Sequence, residues 1–308
     1  MRHIQSSSDN SNRKQLLAVL PVSERYYSLS GITTPVLEGG HGRDIILLHG
    51  PGESAVWWMR IITELVKTHH VNIPDLPGHG ASLINGISLD KDRVIQWLDE
   101  LIKQTCTGKP VLTGHILGGS LALRYTIEHE ERLHKLVVVD SLGLDKFRPA
   151  PNFAYKLLRF MIKPSKKAFD SFLNQCFYDP TSLQRQMGTL WEPFLTYNLE
   201  CSQAPGAKTA LRKLMTQVGI PRIPPDKLEQ ISIPTSLIWG RYDRANRLQI
   251  AKNVSKQYGW PLHIIEDTRD DPKLEQPEAF LKALYASLNE TQHSEDTSSI
   301  SNEAAKQI

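Results

Sequence analysis

Eight short runs rich in aliphatic and β-branched residues, separated by stretches of helical period, set the tightest limit on what this chain can fold into. They fall at residues 25–29, 33–37, 44–48, 70–73, 110–113, 135–140, 234–239 and 261–265. The third, DIILL, is continuously apolar, as a strand covered on both faces must be. Between the runs, Trp58, Ile61, Ile62, Leu65 and Val66 keep amphipathic helical spacing, as do Val94, Trp97, Leu98, Leu101 and Ile102. Ile250, Val254 and Tyr258 mark another helix, and Phe280, Leu284 and Leu288 the last. Parallel strands need crossovers, and crossover helices cover the faces of the sheet. The alternation therefore predicts an α/β fold with a mostly parallel sheet between two helical layers.

The alternation stops from about residue 145 to 228. This segment holds seven of the eight phenylalanines, together with Trp191, Tyr155, Tyr178 and Tyr197. Its 13 Lys and Arg against 6 Asp and Glu give it a charge of +7, which leaves −4 on the rest of a chain whose net charge is only +3. We read it as a helical cap inserted after the strand ending at Asp140. Its aromatics either form the cap's own core or face inward and roof an apolar pocket. The core is then 15–144 and 229–289. Residues 1–14 and 290–308 are polar without apolar period and are expected to be disordered.

A net charge of +3 on 308 residues gives no reason to invoke nucleic acid. No glycine-rich phosphate loop follows a strand, so no nucleotide cofactor is expected. Three cysteines (Cys106, Cys176 and Cys201) without CxxC spacing argue against a disulfide framework and for a reducing, cytoplasmic setting. The N-terminus lacks the apolar core of a signal peptide, and no apolar stretch is long enough to insert across a membrane.

Five stretches carry more specific information. They are LLHGPG (47–52), DLPGHGAS (75–82), GHILGG (114–119), LIWGRYD (237–243) and DDPKLEQPEAF (270–280). In this order and spacing they resemble α/β-hydrolase-fold enzymes over roughly residues 25–288. The resemblance implies an eight-stranded sheet and a cap between its sixth and seventh strands. It also implies a sharp turn after the fifth strand that exposes a nucleophile at position 116, with glycines giving room for close approach of strand and helix. An acid at Asp243 would orient a base at position 270, and backbone N–H groups after His49-Gly50 and at Leu117 would hold an oxyanion.

Against that pattern the chain has Ile116 at the nucleophile position, Asp270 at the base position, and Pro51, which has no N–H, at one oxyanion position. Only Leu117, helped by Gly52, remains as an expected donor. Ordinary serine-hydrolase activity is not expected, since one mechanism has lost three parts together. A β-branched residue in a turn that needs φ > 0 costs on the order of 1–3 kcal/mol. Either the turn is relaxed, or packing holds Ile116 in place.

Two readings stay open. In one, a hydrolase-like pseudoenzyme binds a small apolar or amphipathic ligand, or a protein partner, between cap and core. The basic cap suggests that such a ligand carries negative charge, and His49, Ile116, Trp191 and Phe194 are the pocket candidates. In the other, Asp243 and Asp270 act as an acid–base pair without a covalent step. They are then either a carboxyl pair sharing a proton or two carboxylates paired with Arg241, Arg244 and Arg269. No metal-ligand spacing is present, although His49, Asp243 and Asp270 could converge. Ser120, in the first helical turn after position 116, is expected to bond backbone, His115 to serve the scaffold, and His79 to pack within its loop.

Overall fold

In a computed structural model of the chain, residues 11–86 and 88–289 are described. The eight strands are β1 (Ser23–Leu29), β2 (Ile32–Gly39), β3 (Arg43–Leu48), β4 (His69–Pro74), β5 (Val111–His115), β6 (Lys135–Val139), β7 (Thr235–Gly240) and β8 (Leu262–Ile265). They form one sheet in the order β1-β2-β4-β3-β5-β6-β7-β8. β2 is antiparallel to both β1 and β4, and every later pairing is parallel. This is the α/β-hydrolase architecture, and it matches the order of runs in the sequence.

Strand alternation divides the core into two layers. Ile46, Leu48, Leu136, Val138, Leu237 and Trp239 face the helices Lys91–Thr105, Leu117–His129 and Leu248–Tyr258. Ile45, Leu47, Val137, Val139 and Ile238 face the helices Met59–Leu65 and Pro277–Asn289, where Trp58 and Phe280 are fully buried. Adjacent strand residues point to opposite faces, so one apolar run feeds both layers.

Between β6 and β7 the chain inserts a set of helices, among them Pro151–Ile162, Lys166–Cys176, Trp191–Gln203 and Ala207–Leu214. Their apolar sides close a third core around Phe153, Phe169, Phe177, Trp191 and Phe194, into which Trp57 of the sheet domain also packs.

The N-terminal expectation needs correction. Residues 11–14 are ordered, within the helix Ser11–Leu17. Leu16 is fully buried in the cap core, and Arg13 is 2% exposed. Arg13 Nη2 lies 2.6 Å from Glu24 and 3.1 Å from Asp75, and Nη1 donates to the Tyr197 hydroxyl at 2.5 Å. A seven-residue helix has too few positions for a readable period, and its anchoring partners are remote in sequence. The tail expected at 290–308, and residues 1–10 of the N-terminal one, lie outside the described residues.

Candidate functional site

The turn after β5 keeps the strained geometry of an exposed nucleophile even though it carries isoleucine. Ile116 has φ 45° and ψ −97°. Its N–H donates to Val139 at 2.9 Å, and its carbonyl accepts from Ser120 and Leu142, each at 3.1 Å. Three main-chain bonds therefore hold the residue where a β-branched side chain is strained. The turn is not relaxed. A Cβ on Gly114 would lie 2.3 Å from the Gly118 carbonyl, and one on Gly118 2.5 Å from that of Leu48, so strand and helix meet through bare backbone. Ser120 Oγ donates to the Val218 carbonyl at 2.8 Å, a backbone bond of the kind expected for it.

The loop after β3 is locked from behind. His49 Nε2 accepts the Leu76 N–H at 2.9 Å, so the proton sits on Nδ1, which faces the Gly50 carbonyl at 2.8 Å. Burial pushes this imidazole down to about 4. His49 supports the loop and does not reach the cavity. Pro51 and Gly52 do line it. Leu117 opens the next helix, so no carbonyl four residues earlier in that helix takes its N–H.

Three carboxyl groups gather at the ends of β6, β7 and β8. Asp243 Oδ1 accepts the Ala245 and Asn246 N–H groups at 2.7 and 2.8 Å, and Asp140 Oδ1 accepts that of Gly240 at 2.9 Å. Burial, then the neighbouring Asp140 and Asp270, push Asp243 well above the usual carboxylate range. Burial takes Asp140 to about 7. Burial and Asp271 likewise raise Asp270 well above that range. Asp140 and Asp243 form the closer pair, while Asp270 alone of the three lines the cavity. The sequence reading missed Asp140, whose signal is an acid directly after the apolar run LVVV.

The arginines expected to neutralise these acids go elsewhere. Arg241 pairs with Glu266, Arg244 donates to Gln175 at 2.8 Å, and Arg269 donates to the Asn174 carbonyl at 2.7 Å. Among the described residues, Asp270 Oδ1 is buried without a hydrogen-bond partner. Burial without a cationic partner favours the protonated form of Asp270 at the cavity wall, since an unpaired buried charge is costly.

Beside it lies a buried ionic cluster. Lys273, fully buried, places Nζ 2.8 Å from His115 Nδ1 and 3.6 Å from Glu53, and bonds Asp271. Burial would raise Glu53, but the Lys273 ammonium and His115 outweigh it and hold the carboxylate near 2. Glu53 in turn accepts the Gly50 N–H at 2.8 Å. Glu53, His115 and Asp271 bring ligand-type atoms within 4.8 Å of one another, and it is this trio, not His49, Asp243 and Asp270, that has metal-like geometry. The lysine ammonium already supplies the positive charge there.

Above the turn is a cavity of about 360 Å³. Ile116 and Leu142 form its floor, and Phe153, Leu157, Phe160 and Phe169 belong to its roof. Some cap aromatics thus do face inward. Trp191 and Phe194 do not line it. They stack 6.2 Å apart within the cap core, and Trp57 packs 5.1 Å from Phe194, because that core needs its largest rings to fill it. His79 lines the wall, with Nδ1 3.1 Å from the Pro77 carbonyl and Nε2 buried without a hydrogen-bond partner among the described residues. Two thiols line the cavity as well. Burial lifts Cys201 to about 12 and pushes Cys176 well above the usual thiol range, so both stay as thiols. Lys208 and Arg212 reach the cavity from an exposed face of the cap and have no acidic partner among the described residues.

The fold and this sharp strand-to-helix turn define a hydrolase-like protein of the α/β class. Residues 45–283 match the alpha/beta hydrolase family, and the chain belongs to it. It is 24% identical over 285 residues to the 2-hydroxy-6-oxo-6-(2'-aminophenyl)hexa-2,4-dienoic acid hydrolase of Metapseudomonas resinovorans, covering 86% of this chain and 91% of that one. It is 29% identical over 218 residues to the 2-hydroxy-6-oxononadienedioate/2-hydroxy-6-oxononatrienedioate hydrolase of Klebsiella pneumoniae, covering 67% of this chain and 73% of that one. Among solved structures, a carboxylesterase from Bacillus subtilis superposes with a TM-score of 0.79 at 18% identity, covering 93% of this chain and 99% of that one. No helix of the described residues is long and apolar enough to cross a membrane.

Proposed function

We propose that this family member holds a small, mostly apolar molecule between cap and core and does not perform serine-type hydrolysis. One observation carries the reading. The strained turn presents the hydrocarbon of Ile116 to the cavity, and Asp270, which lines the same cavity, has a carboxyl held well above the usual range by burial and a buried oxygen without a hydrogen-bond partner among the described residues. A neutral acid can both donate to and accept from a ligand's polar group. His79 Nε2 offers a second, acceptor-only contact. Lys208 and Arg212 at the rim suit a ligand whose other end is anionic. Three unpaired cysteines suit the cytoplasm as its location.

The acid–base reading keeps one specific support. Asp140 near 7, beside the neutral Asp243, forms a carboxyl pair able to exchange a proton close to neutral pH. In that case Asp270, the only one of the three at the cavity, would face the substrate.

Native mass spectrometry of the purified protein tests the binding reading, followed by extraction and identification of what co-purifies. A bound molecule of a few hundred daltons, lost on Asp270→Leu, is the expected result. Fluorophosphonate labelling, or a burst with p-nitrophenyl esters, would overturn it.

A further inference from the structure

The helix Pro151–Ile162 of the cap has two apolar faces, and only one of them is used. At about 100° per residue, Phe153, Leu157, Phe160 and Met161 share the side that roofs the cavity. Tyr155, Leu158 and Ile162 share the opposite side, and they are 59%, 57% and 69% exposed. They are neighbours on one stripe, at i, i+3 and i+7. Isolated exposed apolar residues are ordinary, but three in a row along one helix are not.

The charge around the stripe says what it meets. From residue 146 to 169 the chain has seven cations, namely Lys146, Arg148, Lys156, Arg159, Lys163, Lys166 and Lys167, and no acid. Among the described residues only Lys166 of these has an acidic partner, Asp170 at 3.4 Å. Lys156 folds its ammonium over the Tyr155 ring at 5.7 Å, so apolar and cationic groups are interleaved. The cavity beneath is closed by the other face of the helix, so the stripe is not needed to hold the cap together.

We propose that this face docks on an anionic phospholipid surface, with the helix lying in the plane of the interface. Tyr155, Leu158 and Ile162 enter the headgroup–acyl boundary, and the flanking lysines and arginines meet lipid phosphates. Twelve residues span about 18 Å, well short of a bilayer's roughly 30 Å hydrocarbon core, so the helix lies on the membrane and does not cross it. This inference is independent of what the cavity holds.

Flotation of the full chain with vesicles tests it, using phosphatidylcholine alone and phosphatidylcholine mixed with phosphatidylglycerol. Wild-type protein should float with the mixed vesicles, remain behind with the neutral ones, and detach as salt is raised. The double variant Leu158→Asp, Ile162→Asp should reduce partitioning by at least about tenfold. The variant Lys163→Gln, Lys167→Gln should weaken it while leaving the apolar stripe intact. All four side chains are exposed, and circular dichroism would verify folding. Absence of flotation with both vesicle types, equal flotation with both, or insensitivity to both variants would overturn the proposal. The first outcome would assign the stripe to a protein partner.

Discussion

Lys273 Nζ sits 2.8 Å from His115 Nδ1, both side chains fully buried beneath the turn at Ile116. Nδ1 also lies 3.2 Å from Glu53, so the lysine and this carboxylate meet at one ring nitrogen, while Nε2 carries a proton because the atom it faces is a carbonyl. That N–H points at the Asp270 carbonyl, 2.5 Å away. Lys273 and Glu53 thus anchor the histidine on β5 and, through its Nε2–H, the backbone of the loop that carries Asp270.

Lysine 273 is also the cation for two buried carboxylates, Glu53 and Asp271. Lys273→Met should leave Asp271 without its ammonium and Glu53 with only His115 and the Gly50 N–H, and cost about 3–5 kcal/mol of unfolding free energy. Urea denaturation at neutral pH measures this. A cost below about 1 kcal/mol would mean that the cluster is not ionised as drawn.

Asp140 gives a pH signature. Its folded pKa, near 7, lies above its unfolded value, so the folded state binds the extra proton. That contribution is full below the unfolded pKa of about 4 and is lost as pH rises towards 7. His49 and His79, both lowered to about 4, act in the opposite direction over a similar window, so the total profile is a poor test. The difference between wild type and Asp140→Asn reads the Asp140–Asp243 pair, because Asp140 also raises Asp243. Asparagine tolerates the φ of 43° at this position. The variant should gain stability relative to wild type as pH rises from about 4 to 7.

Restoring a hydroxyl should not restore an esterase. Ile116→Ser would place Oγ at the correct turn, but the base position holds Asp270, whose carboxyl burial pushes well above the usual range, and Pro51 supplies no N–H. We expect no burst with p-nitrophenyl acetate and no fluorophosphonate label. A label on the new serine would show that some other group in the cavity, His79 being the nearest in kind, serves as base.

Arg13 joins the N-terminal helix to the core through Glu24 and Asp75, and to the cap through Tyr197. Asp75 also accepts the Ala55 and Ala81 N–H groups, so the same ion organises two loops near the cavity. Arg13→Met should cost about 3–5 kcal/mol by leaving a buried carboxylate uncompensated. Hydrogen exchange should quicken first in the helix Trp191–Gln203. If protection there is unchanged, the arginine does not hold the cap.

The sequence alone determined the sheet, because strand period, helix period and their alternation are local properties that survive in a string. It also fixed which residues occupy the turn, and hence that position 116 offers hydrocarbon. Pro51, Leu117 and Gly52 could be assigned to the oxyanion region because the motifs around them resemble those of α/β-hydrolases. Tertiary structure alone decided the electrostatics. Asp140, Asp243 and Asp270 stand 27 to 130 residues apart, and the proton each keeps depends on burial and on one another, not on neighbours in the chain. The same holds for Lys273, Arg13 and the choice of which cap aromatics roof the cavity. Charge pairing and cavity lining are set by three-dimensional distance, which a period of two or 3.6 residues does not encode.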